Sequence, residues 1–106
     1  FDGKLPDLNL GTASGTSCDD SLRAALVREL AANPQFTHAV DGRFKGGYVT
    51  RNYGRPGENI HAVQMEMCQS LYMQEVLPFA YLDDKARQVQ PLLQRLLEIM
   101  IAWKPR

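Results

Sequence analysis

No charge imbalance, no long apolar run and very little cysteine or histidine are found in this sequence, and each absence removes a class of function. Twelve Lys and Arg stand against twelve Asp and Glu. The whole chain therefore has no general attraction for nucleic acid or an anionic membrane, and any affinity for anions must be local. No apolar stretch approaches the roughly 20 residues that span a bilayer, and the amino end lacks the pattern of a secretory signal. The two cysteines, Cys18 and Cys68, have the spacing of neither a metal site nor a disulfide framework and read as reduced thiols of a cytoplasmic protein. The two histidines, His38 and His61, stand far apart with no HExxH or similar spacing around either. There is no internal repeat and no low-complexity tract.

What is present describes a globular chain. Its 106 residues suit one domain of ordinary size, and 44% hydrophobic with 23% charged residues argues against wholesale disorder. The chain begins at Phe1 and enters directly into the turn-like "FDGKLPD". The expectation is a piece of a longer protein.

Alternation in "LPDLNLGT" predicts a short extended segment, followed by the small-residue loop "ASGTSC". Ser17 three residues before Asp20 suggests a capping box, and Leu22, Leu26 and Leu30 then repeat along one helical face until Asn33-Pro34. "FTHAV" and "GYVTRNY" read as two β-prone runs joined by "DGRFKGG", with a polar loop "GRPGEN" before the strand "HAVQMEM". A short helix is expected through "CQSLYMQEV" to Pro78. Asp83 or Asp84 is expected to cap a last helix with the apolar stripe Val89, Leu92, Leu93, Leu96, Met100 and Trp103, which either kinks or begins at Pro91. This order of elements predicts an α/β fold, a mixed sheet flanked by helices.

Three features could carry chemistry. With a period of two, Val63, Met65 and Met67 share one face of their strand while Ala62, Gln64 and Glu66 share the other. A carboxylate on such a strand is paired, solvated at a sheet edge, or used as a base on a water. The block "GRFKGGYVTRNYGRP" sets Arg43, Lys45, Arg51 and Arg55 among four glycines, Gly42, Gly46, Gly47 and Gly54. Glycines allow close backbone approach and arginine forks suit carboxylates, so the block is either a pocket for a small acid or a hairpin with a solvated basic rim. The histidines are either hydrogen-bonded structural residues or site residues. Tyr48 and Tyr53 flank Arg51 as possible donors to a substrate, or pack.

In order and spacing, "LPDLNLGT", "DGRFKGGYVTRNYGRP" and "HAVQMEMCQSLYM" closely resemble the carboxyl-terminal part of the N-formylglutamate amidohydrolase (N-formylglutamate deformylase) family of bacterial histidine degradation. The resemblance runs over essentially the whole chain. It implies a partial zinc-carboxypeptidase-like (phosphorylase/hydrolase-like) fold, with residues 1–106 forming one domain that is the carboxyl-terminal part of a larger amidohydrolase domain. It also implies a metal-dependent enzyme, with zinc, that splits N-formyl-L-glutamate into formate and L-glutamate.

The family's base falls on Glu66, and its substrate-lining block on Gly46, Gly47, Tyr48, Thr50, Arg51 and Tyr53, with Arg51 and then Arg43 as carboxylate contacts and Gln64 beside them. His61 lies on the face opposite Glu66 by alternation, which suits a supporting role better than a metal bond. The family's metal-binding motifs match nothing in this chain, so the expected metal ligands are none of these residues. The expected partners are the small substrate and a missing amino-terminal part of the same protein, with the chain inactive alone. Self-association through surfaces that this missing part would cover is also expected. A stand-alone binding module for small carboxylates or phosphates, or an amidohydrolase for another N-acyl amino acid, would also fit.

Overall fold

The computed structural model describes residues 6–42, 45–68 and 83–104. Three short strands form one mixed sheet in the order β2-β1-β3, where β1 is Leu8–Gly11, β2 is His38–Val40 and β3 is Gln64–Met67. β2 runs parallel to β1, with Leu8 opposite His38, and β3 runs antiparallel to it, with Leu8 opposite Met67 and Gly11 opposite Gln64. The alternation in the sequence fixes the faces. Leu8 and Leu10 enter the core, joined from β3 by Met65 and from the preceding residue run by Val63. Asn9, Gly11, Gln64 and Glu66 thus share the other face.

Helix α1 (Asp20–Ala31) and helix α3 (Asp83–Ala102) cover the apolar face. Leu22, Leu26 and Leu30 of α1 are buried with Val89, Leu92 and Leu96 of α3, as the two leucine stripes require. Each such side chain contributes about 1.5–3 kcal/mol by leaving water. Arg95 clamps the helices together at the end of α1, donating from Nε to Glu29 Oε2 at 3.0 Å and from Nη2 to Asn33 Oδ1 at 2.8 Å. At the other end, Trp103 Nε1 donates to Ser21 Oγ at 2.9 Å.

Several local expectations are corrected. The cap of α1 is Asp19, whose carboxylate accepts both the amide and the hydroxyl of Ser21. Ser17 lies two residues before that cap and donates instead to the carbonyl of Ala62 at 2.6 Å. "GYVTRNY" is a helix, α2 (Tyr48–Tyr53), and not a strand. Among the described residues no strand lies beside it to pair with its β-prone residues, and its amides close within the turn, as from Arg51 to the Gly47 carbonyl at 3.1 Å.

The strand expected over "HAVQMEM" is confined to Gln64–Met67; before it stand a 3-10 turn at Pro56–Glu58 and a bridge between Arg55 and Ile60. Helix α3 is continuous across Pro91 and so does not begin there. Pro91 is exposed, so the carbonyl that forgoes its amide partner there can be hydrated. Asp83 and Asp84 occupy the first turn of α3, where their charge complements the helix dipole, and not the cap position. The helix expected to end at Pro78 lies outside the described residues.

Candidate functional site

Because β1 and β2 are parallel, the segments that leave them, beginning at residues 12 and 41, emerge at the same end of the sheet. The antiparallel β3 begins at that end, with Gln64 opposite Gly11. The carboxyl ends of parallel strands are where open α/β sheets gather ligands. The 45–47 backbone lies directly over β1: a Cβ on Gly11 would stand 2.9 Å from the Lys45 carbonyl carbon. The Ala13 amide also donates to the Lys45 carbonyl at 2.6 Å. Only glycine at position 11 permits that approach.

On the face opposite the leucine core, which the 45–47 loop partly covers, a chain of hydrogen bonds runs from this loop to the carboxylate. The Gly47 amide donates to Gln64 Oε1 at 2.6 Å, and Gln64 Nε2 donates to Glu66 Oε1. The loop is itself held from below, since Thr50 Oγ donates to the Gly47 carbonyl at 2.9 Å. Gly46 has φ 126°, and a Cβ there would collide with Thr50 Oγ1. Glu66 is half-buried and its carboxylate has a fixed neighbour. That is what a base on a rigid element needs.

A second network, which sequence reasoning did not find, anchors the two loops to each other. Asp41 Oδ1 accepts the amides of Thr12 at 2.7 Å and Ser14 at 3.2 Å. Its Oδ2 accepts the Thr12 hydroxyl and Arg23 Nη2, the latter at 3.0 Å. Arg23 Nε donates to Thr12 Oγ at 3.0 Å and completes the triangle. Burial by itself would raise the Asp41 carboxyl, but hydrogen bonds from the Thr12 hydroxyl and amide, from Arg23 and from the Ser14 amide outweigh it and hold the group below the usual range. Ala13, Ser14 and Asp41 all adopt positive φ, a costly backbone for non-glycine residues that the network holds in place. The only signal in the sequence was the Asp-Gly pair, which reads equally well as an ordinary turn.

The other expected residues divide by position. Tyr48 and Tyr53 project from α2, 70% and 57% exposed, with their rings edge to face at 6.0 Å. Arg51 is exposed on the same helix and forms no ion pair among the described residues. Thr50 is 2% exposed and faces inward, where its hydroxyl holds the loop. Gln64 has both ends of its amide engaged by protein. Arg43 lies outside the described residues. No hydrogen bond among the described residues ties Arg51 to Glu66.

The donor set of the described residues does not fit a zinc centre. No three of His, Cys, Asp and Glu converge among the described residues. His61 has both ring nitrogens engaged, Nδ1 accepting the Asp19 amide at 3.0 Å and Nε2 lying 3.1 Å from Asn59 Oδ1, while its ring packs edge-on against Trp103 at 4.6 Å. With Nδ1 accepting, the proton of a neutral ring sits on Nε2 and points to Asn59. Burial pushes the Cys18 thiol up, with Arg23 opposing and Asp41, Asp19 and Asp20 adding to the shift. A thiol so placed is packing and not a nucleophile.

The model of the N-formylglutamate amidohydrolase family matches residues 1–73, which include β1, α1, both loops, α2 and β3. The chain belongs to the N-formylglutamate amidohydrolase family. Within that family it is 50% identical over 103 residues to the N-formylglutamate deformylase of Pseudomonas aeruginosa and, equally, to that of Pseudomonas putida. Each alignment covers 97% of this chain and 39% of the relative, so the chain spans well under half the length of these family members. The solved N-formylglutamate amidohydrolase of Ralstonia eutropha superposes with a TM-score of 0.77 at 29% identity, over 93% of this chain and 35% of that one. The mixed sheet with its helices is thus the family's own architecture over this region.

Proposed function

We propose that this chain supplies the general base and part of the substrate cleft of an enzyme that hydrolyses N-formyl-L-glutamate to formate and L-glutamate. The observation that carries the reading is the half-buried Glu66 carboxylate, fixed by Gln64 beside the Gly46–Gly47 loop on the face of the sheet opposite the leucine core. The family name and the two Pseudomonas deformylases support the substrate.

In this reading a water attacks the formyl carbon while Glu66 takes one of its protons. The C–N bond then breaks, the proton passes to the leaving nitrogen, and formate and the free amino acid result. A base so positioned contributes about 10² to 10⁴ in rate. Arg51, exposed on α2 beside Tyr48 and Tyr53, would hold a substrate carboxylate through its planar fork. The zinc that the family resemblance implies would supply Lewis-acid activation and take its ligands outside the described residues. A zinc-carboxypeptidase-like architecture for the whole protein, a place in histidine degradation, a cytoplasmic location and inactivity of the 106-residue chain alone belong to the same proposal.

The test is a chimera in which residues 1–106 replace the matching region of the Pseudomonas aeruginosa deformylase. It is expected to release formate from N-formyl-L-glutamate, and Glu66→Gln is expected to lower kcat by about 10² to 10⁴ with the circular dichroism spectrum unchanged. A Glu66→Gln chimera as fast as its parent would overturn the assignment of the base.

A further inference from the structure

The amide of Gln64 lies between two groups that dictate its orientation. The Gly47 N–H only donates and the Glu66 carboxylate only accepts. The glutamine oxygen must therefore face the loop and its nitrogen the carboxylate; the reverse would set donor against donor and oxygen against carboxylate. A side chain engaged in this way is poorly placed to read a substrate. It is well placed to transmit position. The loop it reads is fixed by the Thr50 hydroxyl on the Gly47 carbonyl, by the Ala13 amide on the Lys45 carbonyl and by the closeness of Gly11.

We propose that Gln64 is a positioning residue whose amide makes the Glu66 carboxylate follow the Gly46–Gly47 loop, so that base and substrate-facing backbone keep one geometry. The proposal rests on the reading of Glu66 as the base. A free glutamate at a sheet edge would sample several rotamers. Tied through Gln64, its Oε1 is referenced to a backbone amide two elements away. Misplacing a reacting group by about 1 Å can cost about 10²-fold in rate.

Two variants separate the halves of the relay. Gln64→Met keeps the volume and removes both polar ends, whereas Gln64→Glu keeps an oxygen for the Gly47 amide and replaces the donor to Glu66 by a repelling carboxylate. In the chimera both are expected to lower kcat about 10- to 100-fold with KM changed less than about twofold. A Gln64→Glu variant with the parent's kcat would show that only loop-holding matters and overturn the proposal. So would a Gln64→Met variant with kcat kept and KM raised, which would mark a substrate contact.

A measurement free of activity stands beside these. In the chimera, Glu66→Gln is expected to shift the Gly47 amide resonance, and the same change in a Gln64→Met background is expected to leave it in place. Equal shifts in both backgrounds would mean that the effect passes through space and that Gln64 relays nothing. Should Glu66→Gln prove harmless to formate release while the resonance result holds, the base assignment fails and the coupling stands.

Discussion

Arg23 of α1 reaches Asp41, the residue after β2, with Nη2 3.0 Å from Oδ2, and so ties the helix that follows the first strand to the loop that follows the second. The Asp41 side chain is 8% exposed, so its charge is sheltered and its four hydrogen bonds are hard to replace by water. The carboxyl is held lower in the folded chain than its ordinary 3.8. Its contribution to stability is therefore fully present above about 3.8 and is lost as pH falls through the lower folded value. Asp41→Asn should lower the urea midpoint at pH 7, and the gap to the parent should narrow as the pH falls below about 4. A gap that stays constant from pH 7 to pH 3 would show that the charge of Asp41 is not what the network uses.

The loop over β1 depends on its half-buried Gly46 in a way that the 3-10 turn does not depend on its exposed Gly57. At Gly46, φ is 126° and a Cβ would collide with Thr50 Oγ1, whereas at Gly57 nothing lies within 4 Å. Gly46→Ala must move Thr50 and adopt a strained backbone, at a cost of about 1–3 kcal/mol. Gly57→Ala should change stability by less than about 0.5 kcal/mol. Thermal unfolding of both variants checks the contrast, and equal melting temperatures would contradict it.

Helix α3 offers a similar contrast on one element. Leu92 is 1% exposed in the shared core, and Leu97 is 60% exposed one turn further along. Leu92→Ala should cost about 2–5 kcal/mol through lost burial and the cavity left behind. Leu97→Ala should cost less than about 1 kcal/mol, since little of its surface leaves water on folding. Denaturant midpoints at constant slope would report both, and a large loss at Leu97 would mean that the exposed side of α3 is covered in solution.

The parts of the fold that could be read in the sequence are those where one period dominates. Leucines every four residues in α1, the stripe from Val89 to Trp103 and the alternation from Val63 to Met67 each specify a face, and each face lies where expected. What failed were choices decided by neighbours. "GYVTRNY" has strand-forming residues but, among the described residues, no strand to pair with, and the α1 cap passed from Ser17 to Asp19 because the Ala62 carbonyl claims the Ser17 hydroxyl. At the site, Glu66 and Gln64 could be named from the pattern, but their connection to Gly47 depends on where a loop 17 residues earlier comes to lie. The Thr12, Arg23 and Asp41 triangle joins three separate segments and leaves no local signature.

Arg51 gives the sharpest test of the substrate side. It is exposed on α2 between two exposed tyrosines and forms no ion pair among the described residues, so its charge is not consumed by a described acidic neighbour. If it grips a substrate carboxylate that stays the same from ground state to transition state, its removal should raise KM and leave kcat largely intact. In the chimera, Arg51→Ala is expected to raise KM for N-formyl-L-glutamate about 10- to 100-fold, in line with loss of about 1.5–3 kcal/mol from a charged hydrogen bond. Arg51→Lys should recover only part of this, because a point charge cannot reproduce the two-pronged contact. An unchanged KM in Arg51→Ala would move the carboxylate contact to another cation, and Lys45, exposed at the start of the glycine loop, would be the next to test.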